Sequence, residues 1–259
     1  MMSEHLLVEK AGGVLTLTLN RPEKKNALNG SLNEALAQAI AGADEDPEVR
    51  CVLIQGNGDV FCSGADISDF AKINASETGL DARAVKESAF LTALTRSETP
   101  LVVAVQGRAM GVAATLVLHS DLVFMTEDAL LITPFVNLSL VPEGACSLLL
   151  PARIGYVRAF SMLVLGEPVD GKTAVAWGLA NAAVPAAELR ARARAAAEAV
   201  AARTPIAVSK TKTLMREAAR ISARIAEESE HFAALMSTPE AGKAFAAIVQ
   251  KRAPVSEVG

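Results

Sequence analysis

The segment LVVAVQGRAMGVAATLVLHSDLVFMTE, residues 101–127, contains the pattern that decides the fold. Its first residues form a short apolar run with β-branched members, which predicts a buried strand that ends at the glycines of QGRAMG. An apolar helical stretch follows, and DLVFMTE predicts a second buried strand. Buried strands that alternate with helices are typical of an α/β fold with parallel strand pairing.

The same pattern occurs closer to the amino terminus. CVLIQG at 51–56 predicts another buried strand, which ends at a Gly-Asn-Gly turn, and VLTLTLN at 14–20 alternates with a period of two. Ser31 and Glu34 have the spacing of a capping box, so we expect a helix from Ser31 to about Asp44.

After Val184 the sequence changes character. Alanine-rich helical patterns follow one another without a further strand pattern, at 186–203, 205–219, 221–236 and 239–252. We therefore predict two parts, an α/β core over residues 1–203 and a helical module over residues 204–259.

Composition excludes several classes of function. The 25 basic and 29 acidic residues are mixed along the chain, so no basic surface is predicted for nucleic acid. The longest apolar tract, 100–125, is interrupted by charged residues, so it predicts no membrane span. Three cysteines and three histidines show no metal-ligand spacing. We expect a cytoplasmic protein that binds neither a metal, a membrane nor nucleic acid.

Two turns are candidates for chemistry. FCSGADI at 61–67 and QGRAMGVAA at 106–114 each follow a predicted strand and lead into a helix. A plain tight turn explains each alone. Together, turns that follow neighbouring parallel strands can direct their N–H groups at one oxygen, which is the arrangement of an oxyanion hole.

The third candidate is Glu143, a lone carboxylate in SLVPEGACS at 139–147. The local interpretation is that Pro142 and Glu143 open a helix, because proline suits the first helical position and an acid suits the positive end of the helix dipole. Burial among apolar neighbours raises the pKa of a carboxyl, whereas a helix amino terminus lowers it. The sequence leaves the direction of the net pKa change open.

These motifs resemble the crotonase superfamily, the enoyl-CoA hydratase and isomerase family. The matching segments run in family order across nearly the whole chain: NRPEKKNALN at 20–29, FCSGADI at 61–67, QGRAMGVAATLVLHSDL at 106–122, TPFVNLSLVPEG at 133–144 and AFAAIVQKR at 244–252. The resemblance implies a spiral of ββα units with a C-terminal helical module that supports trimers or dimers of trimers. It implies a coenzyme A thioester as substrate, and no separate cofactor.

The resemblance also assigns roles to residues. The N–H groups of Ala65 and of Val112, which follows Gly111, would hold the thioester oxygen as it gains charge. The resemblance also implies a set of residues that bind coenzyme A, of which Asp66 and Ile67 lie near its adenine: Lys25, Ala27, Leu28, Ala65, Asp66, Ile67 and Gly111.

Two departures from the family pattern bear on the reaction. Hydratases of this family use two glutamates to activate water, and here those positions are occupied by Thr115 and Phe135. Glu143 remains, in a context that resembles the family's 3,2-enoyl-CoA isomerases. The resemblance then implies that Glu143 takes a proton from C2 and returns it at C4, moving the double bond from the 3- to the 2-position.

Three alternatives stay open at this point. One is isomerisation of a ring epoxide of a phenylacetyl thioester, which uses a carboxylate in the same loop. Another is a hydratase-like enzyme with a base such as Asp69 or Glu87, and the third is an acyl-CoA binding protein without activity. Four large side chains are candidates for the wall of the acyl pocket: Phe70, Phe90, Met110 and Phe135.

Overall fold

The computed structural model describes residues 4–67 and 88–252. Expectations that concern Asp69, Phe70 and Glu87 lie outside the described residues.

A twisted main sheet of six strands organises the described chain, in the order β1-β2-β3-β4-β6-β9. Strand β1 pairs antiparallel with β2, and every other neighbouring pair is parallel, as the buried strand patterns predicted. The strands of this sheet are β1 (Leu6–Ala11), β2 (Val14–Leu19), β3 (Cys51–Gly56), β4 (Leu101–Val105), β6 (Leu122–Thr126) and β9 (Ala182–Val184).

A smaller sheet has the order β5-β7-β8 and consists of β5 (Arg108–Met110), β7 (Leu130–Ile132) and β8 (Val169–Asp170). A parallel bridge between Cys62 and Ala109 extends it to the segment after β3. Strand β4 is therefore followed by β5 and then by a helix, and β6 is followed by β7. This repetition is the spiral of ββα units that the motifs implied, so the crotonase-like α/β fold is confirmed.

Ten α-helices occur in the described residues: α1 (Gly30–Glu45), α2 (Ala89–Arg96), α3 (Val112–His119), α4 (Cys146–Ile154), α5 (Tyr156–Phe160), α6 (Gly171–Trp177), α7 (Ala186–Ala201), α8 (Pro205–Met215), α9 (Ala218–Met236) and α10 (Pro239–Arg252). None of them has the length and apolar character needed to cross a bilayer, over the residues that can be described.

Two predicted helix starts are wrong. Helix α1 begins at Gly30, because the Asn29 side chain accepts a hydrogen bond from the Leu32 N–H at 3.0 Å and takes the capping role expected of Ser31. Pro142 and Glu143 do not open α4, which begins at Cys146. Gly144 and Ala145 have φ angles of 67° and 61°, and this left-handed backbone cannot belong to a right-handed helix.

Helices cover both faces of the main sheet. Helix α7 buries Leu189, Ala193, Ala197 and Ala201, one residue per turn, against one face, where they pack with Leu53. Helices α9 and α10 add Phe232 and Phe245 to the larger core on the other face. The predicted division at residues 203 and 204 falls between α7 and α8, and it stays a prediction.

Candidate active site

The two glycine-bearing turns lie directly against each other. The Cys62 N–H donates to the Arg108 carbonyl at 3.0 Å, and the Met110 N–H donates to the Cys62 carbonyl at 3.1 Å. At Gly64, φ is 85°, and a Cβ atom would lie 2.7 Å from the Met110 carbonyl oxygen. Only glycine permits this close approach of the two backbones.

The backbone amides of Ala65 and Val112 are both available at this junction. The Leu28 N–H donates to the Gly64 carbonyl at 2.8 Å, and Leu28 accepts from the Asp66 N–H at 3.0 Å. Because backbone groups alternate in direction along an extended chain, the N–H of Ala65 faces away from Leu28. Val112 is the first residue of α3, where N–H groups lack intrahelical partners. Within residues 4–67 and 88–252, neither N–H has a hydrogen-bond acceptor.

A cavity of about 170 Å³ brings the candidate residues together. Ala65, Val112 and Glu143 all line it, and so do Gly111 and Ile67. Most of its other walls are apolar: Met110, Pro134, Phe135, Leu138, Leu140, Phe232 and Ile248. Of the four candidate wall residues, Met110 and Phe135 therefore lie at the cavity, whereas Phe90 is part of the buried core with no exposed surface.

Glu143 is the one described residue of the cavity wall with an ionisable side chain. Burial raises the pKa of its carboxyl to about 7, and the negative charge of Glu228 acts in the same direction. In the described part of the chain the carboxylate accepts no hydrogen bond that would offset this effect. The pKa direction that the sequence left open is therefore upward, toward the value that suits a general base near neutral pH.

The sequence interpretation did not identify Glu228. Its carboxylate accepts from the Ala145 N–H at 2.6 Å and from the Ser147 N–H at 2.9 Å, although it belongs to the distant helix α9. Its position within the buried stripe of α9, between Ile221 and Phe232, is the signal that could have revealed it. An acid at a core position of an amphipathic helix requires a partner.

The structure shows what Thr115 and Phe135 do at the two positions that the resemblance assigns to the hydratase glutamates. Thr115 has no exposed surface, and its hydroxyl donates to the backbone carbonyl of Glu143 at 3.4 Å. A Cβ on Gly144 would lie 2.4 Å from the Thr115 methyl group, so the backbone after Glu143 packs directly against Thr115. Phe135 forms part of the apolar wall.

The remaining residues predicted to bind coenzyme A lie beside the cavity. The Ser63 N–H donates to the Lys25 carbonyl at 3.0 Å, which joins the exposed Lys25 and the buried Ala27 and Leu28 to the first turn. Asp66 accepts from the Arg21 guanidinium at 3.0 Å. Their roles toward coenzyme A stay predictions.

Comparison with known proteins defines the class of protein to which this fold and cavity belong. Residues 9–257 match the family model described as enoyl-CoA hydratase/isomerase. The chain belongs to this family, whose members act on coenzyme A thioesters.

Individual relatives carry different activities in their names. The chain is 30% identical to the 2,3-dehydroadipyl-CoA hydratase of Escherichia coli K12, over 98% of each chain. It is 33% identical to the 1,2-epoxyphenylacetyl-CoA isomerase of the same organism, over 69% of each chain. The solved structure of Pseudomonas aeruginosa OdaA is 41% identical, with a TM-score of 0.88, over 95% of this chain and 99% of that one.

Proposed function

We propose that this protein is an enoyl-CoA isomerase that converts a 3-enoyl-CoA to a 2-enoyl-CoA by proton transfer through one base. The observation that carries the proposal is the composition of the cavity wall. Glu143 is its one ionisable side chain among the described residues, and the amides of Ala65 and Val112 lie on the same wall.

The chemistry of a double-bond shift fits a single carboxylate. The Glu143 carboxylate takes the C2 proton, and the C2–H electron pair moves into the thioester to give a dienolate. The Ala65 and Val112 N–H groups stabilise the negative oxygen of this intermediate. Glu143 then returns the proton to C4, the double bond forms between C2 and C3, and the carboxylate is regenerated.

Hydration requires more than this wall provides. Adding water across a double bond needs a group that activates the water and a group that delivers a proton to carbon. Thr115 and Phe135 supply neither. The similarity to a named hydratase therefore supports a coenzyme A thioester as the substrate. The type of reaction is inferred from the residues of the site instead.

Ring-epoxide isomerisation is a second candidate, which the similarity to 1,2-epoxyphenylacetyl-CoA isomerase favours. A cavity of about 170 Å³ with Phe135 and Phe232 in its wall is large enough for one aromatic ring. Glu143 would act there on an oxygen-bearing ring.

Three substrates separate these possibilities. The native protein is incubated with 3-hexenoyl-CoA, with crotonyl-CoA in ¹⁸O-labelled water, and with ring-1,2-epoxyphenylacetyl-CoA, and products are identified by mass spectrometry and ultraviolet absorbance. We expect the conjugated 2-hexenoyl-CoA from the first and no labelled 3-hydroxy product from the second. Hydration of crotonyl-CoA without isomerisation would contradict the proposal, and tight thioester binding with no turnover would favour a protein without activity.

The family resemblance also implies a homotrimer or dimer of trimers, which stays a prediction. Several large apolar side chains on α5 and α8 are exposed in the single chain, among them Val157, Leu214 and Met215. Subunit contacts would cover such surface. The molar mass of the native protein by light scattering tests this prediction.

A further inference from the structure

The loop that carries Glu143 is held by contacts from two other helices. From α3, His119 Nε2 lies 2.7 Å from the Gly144 carbonyl oxygen, and the Thr115 hydroxyl donates to the Glu143 carbonyl. From α9, Glu228 accepts the N–H groups of Ala145 and Ser147. The loop contains a non-glycine residue, Ala145, at positive φ, and such a backbone persists only where its surroundings fix it.

Glu228 differs from the other two contacts because it carries a negative charge. Each of its carboxylate oxygens accepts one backbone N–H, at 2.6 and 2.9 Å, which is the pairing of an ionised carboxylate. The residue is 5% exposed, so water screens its charge only weakly. It acts as the cap of α4 from a position 83 residues away along the chain.

We propose that Glu228 is a positioning residue for Glu143: its carboxylate fixes the loop that carries the base and places a negative charge beside it. This inference rests on the proposed function of Glu143 as the base. The reaction benefits in two ways. The Glu143 carboxylate is held toward the substrate carbon, and the negative charge of Glu228 favours the protonated form of Glu143, so that the carboxylate accepts the C2 proton more readily.

Burial raises the pKa of the Glu228 carboxyl, and the hydrogen bonds that it accepts from Ser147 and Ala145 act in the opposite direction. Other charged or titratable groups lie around the two carboxyls. On α4, burial raises the pKa of the Cys146 thiol, which stays protonated. On α3, burial and the charge of Arg216 lower the pKa of His119 to about 3, so its ring is neutral. On α9 itself, Arg224 donates to the Ser147 hydroxyl at 3.2 Å.

Two substitutions at one position separate charge from position. Glu228→Gln removes the charge and one acceptor, and Glu228→Asp keeps the charge but shortens the side chain by one methylene. For Glu228→Gln we expect kcat to fall about tenfold or more. The midpoint of the acidic limb of the kcat–pH profile should shift to a lower pH by about one unit. The reason is that the substitution removes a negative charge that raises the pKa of Glu143.

For Glu228→Asp we expect a loss of kcat with the acidic limb at its native position. Glu227→Gln is the matched control: Glu227 is the neighbouring acid on α9, its side chain is 61% exposed, and it pairs with Arg224. For this control we expect kcat and the midpoint of the acidic limb of the kcat–pH profile to equal those of the native protein. A native kcat in both Glu228 variants, or a loss of kcat in Glu228→Gln with an unmoved limb, would overturn the proposal.

A measurement without turnover keeps this test independent of the proposed reaction. The Glu143 carboxyl is titrated by ¹³C NMR and assigned by its absence in Glu143→Gln. We expect its titration midpoint to be lower in Glu228→Gln than in the native protein, and equal midpoints would overturn the charge effect. If the native protein isomerises no enoyl-CoA, the proposed function fails, while this titration still decides the influence of Glu228. Far-ultraviolet circular dichroism establishes that each variant is folded.

Discussion

The cavity at Glu143 contrasts with a second, larger depression in the same chain. We name the larger one the basic groove and define it by Asp121, Arg153, Arg203, Lys212 and Arg216. Its volume is about 760 Å³, against about 170 Å³ for the Glu143 cavity. Size alone would make the basic groove the candidate active site.

Four of the five side chains that define the basic groove, Asp121, Arg153, Lys212 and Arg216, contact other groups of the protein. Arg153 donates to the Leu118 carbonyl at 2.7 Å, and Lys212 contacts Asp121 at 2.9 Å and the Thr99 carbonyl at 2.7 Å. Arg216 contacts the ring of His119. These contacts connect α4 to the end of α3, and α8 to the residues that precede β4 and β6. In the smaller cavity, by contrast, the Glu143 carboxylate and the Ala65 and Val112 amides have no hydrogen-bond partner in the described part of the chain. The difference teaches that unsatisfied polar groups, more than volume, identify where a substrate can bind.

The strongest test of this contrast is Glu143→Gln. It removes the one proposed base and preserves the size of the side chain, so we expect isomerase kcat to fall by about 10⁴, the upper end for general-base catalysis. Affinity for an unreactive acyl-CoA should stay within about twofold, because the thioester oxygen is bound by backbone amides.

The same variant has a predicted effect on stability. The native pKa of about 7 lies above the ordinary 4.5, so the folded state binds the proton more tightly and native stability falls as pH rises from 4.5 to 7. Glu143→Gln avoids this loss. We expect it to be more stable than the native protein at pH 8, by at most about 3 kcal/mol, and equally stable at pH 4. Urea unfolding at both pH values measures this, and a variant less stable at pH 8 would contradict the assigned pKa direction.

The second test removes an amide. Val112→Pro eliminates the N–H at the first position of α3, where proline is tolerated. We expect kcat to fall by about 10² to 10³, the typical cost of losing one oxyanion donor. Val112→Ala keeps the N–H and serves as the matched control, with kcat within a few-fold of native. Equal losses in both variants would assign the effect to packing instead of the amide.

Much of the fold and of the Glu143 site could be predicted from the sequence, whereas the basic groove could not. The buried strand patterns and the two glycine-bearing turns predicted parallel strands whose following turns meet, and β3, β4 and β6 confirm the strands. Glu143 is a candidate because it is a lone carboxylate in an apolar segment, and the family resemblance adds that Thr115 and Phe135 occupy the positions of the hydratase glutamates. These signals are local, and local patterns are readable along the chain.

What could not be predicted depends on contacts between distant segments. Asn29 and Ser31 are both competent helix caps, and only the backbone of Asn29 is extended as a cap requires. The start of α4 at Cys146 depends on the left-handed Ala145, which is held by Glu228 from α9. The pKa direction of Glu143 likewise depends on burial and on that same distant charge.

The third test is the pH dependence of the native enzyme. Since Glu143 must be ionised to accept a proton, kcat/KM should rise about tenfold per pH unit below 7 and level off above it. The sign follows from the raised pKa, because more of the base is protonated at any pH below 7 than for an ordinary glutamate. Stopped or continuous assays with 3-hexenoyl-CoA between pH 5 and 9 give the profile. A kcat/KM profile with its midpoint near pH 4.5 would mean that the Glu143 carboxyl is not desolvated in the working enzyme.

The fourth test acts on the basic groove and should leave turnover nearly unchanged. Lys212→Met removes a buried ammonium from Asp121 and from the Thr99 carbonyl, and leaves both without that partner. We expect a loss of about 2 to 4 kcal/mol in the free energy of unfolding, moderated because the Asp121 side chain is 33% exposed. Lys172→Met is the matched control, since the Lys172–Glu127 pair is exposed and should contribute less than about 1 kcal/mol.

Chemical denaturation measures both losses, and kcat of the folded Lys212→Met protein should stay within about twofold of native. A residue that only connects α8 to the segments that precede β4 and β6 affects folding and not the reaction. A large loss of kcat with native stability would therefore place chemistry in the basic groove and contradict its contrast with the Glu143 cavity.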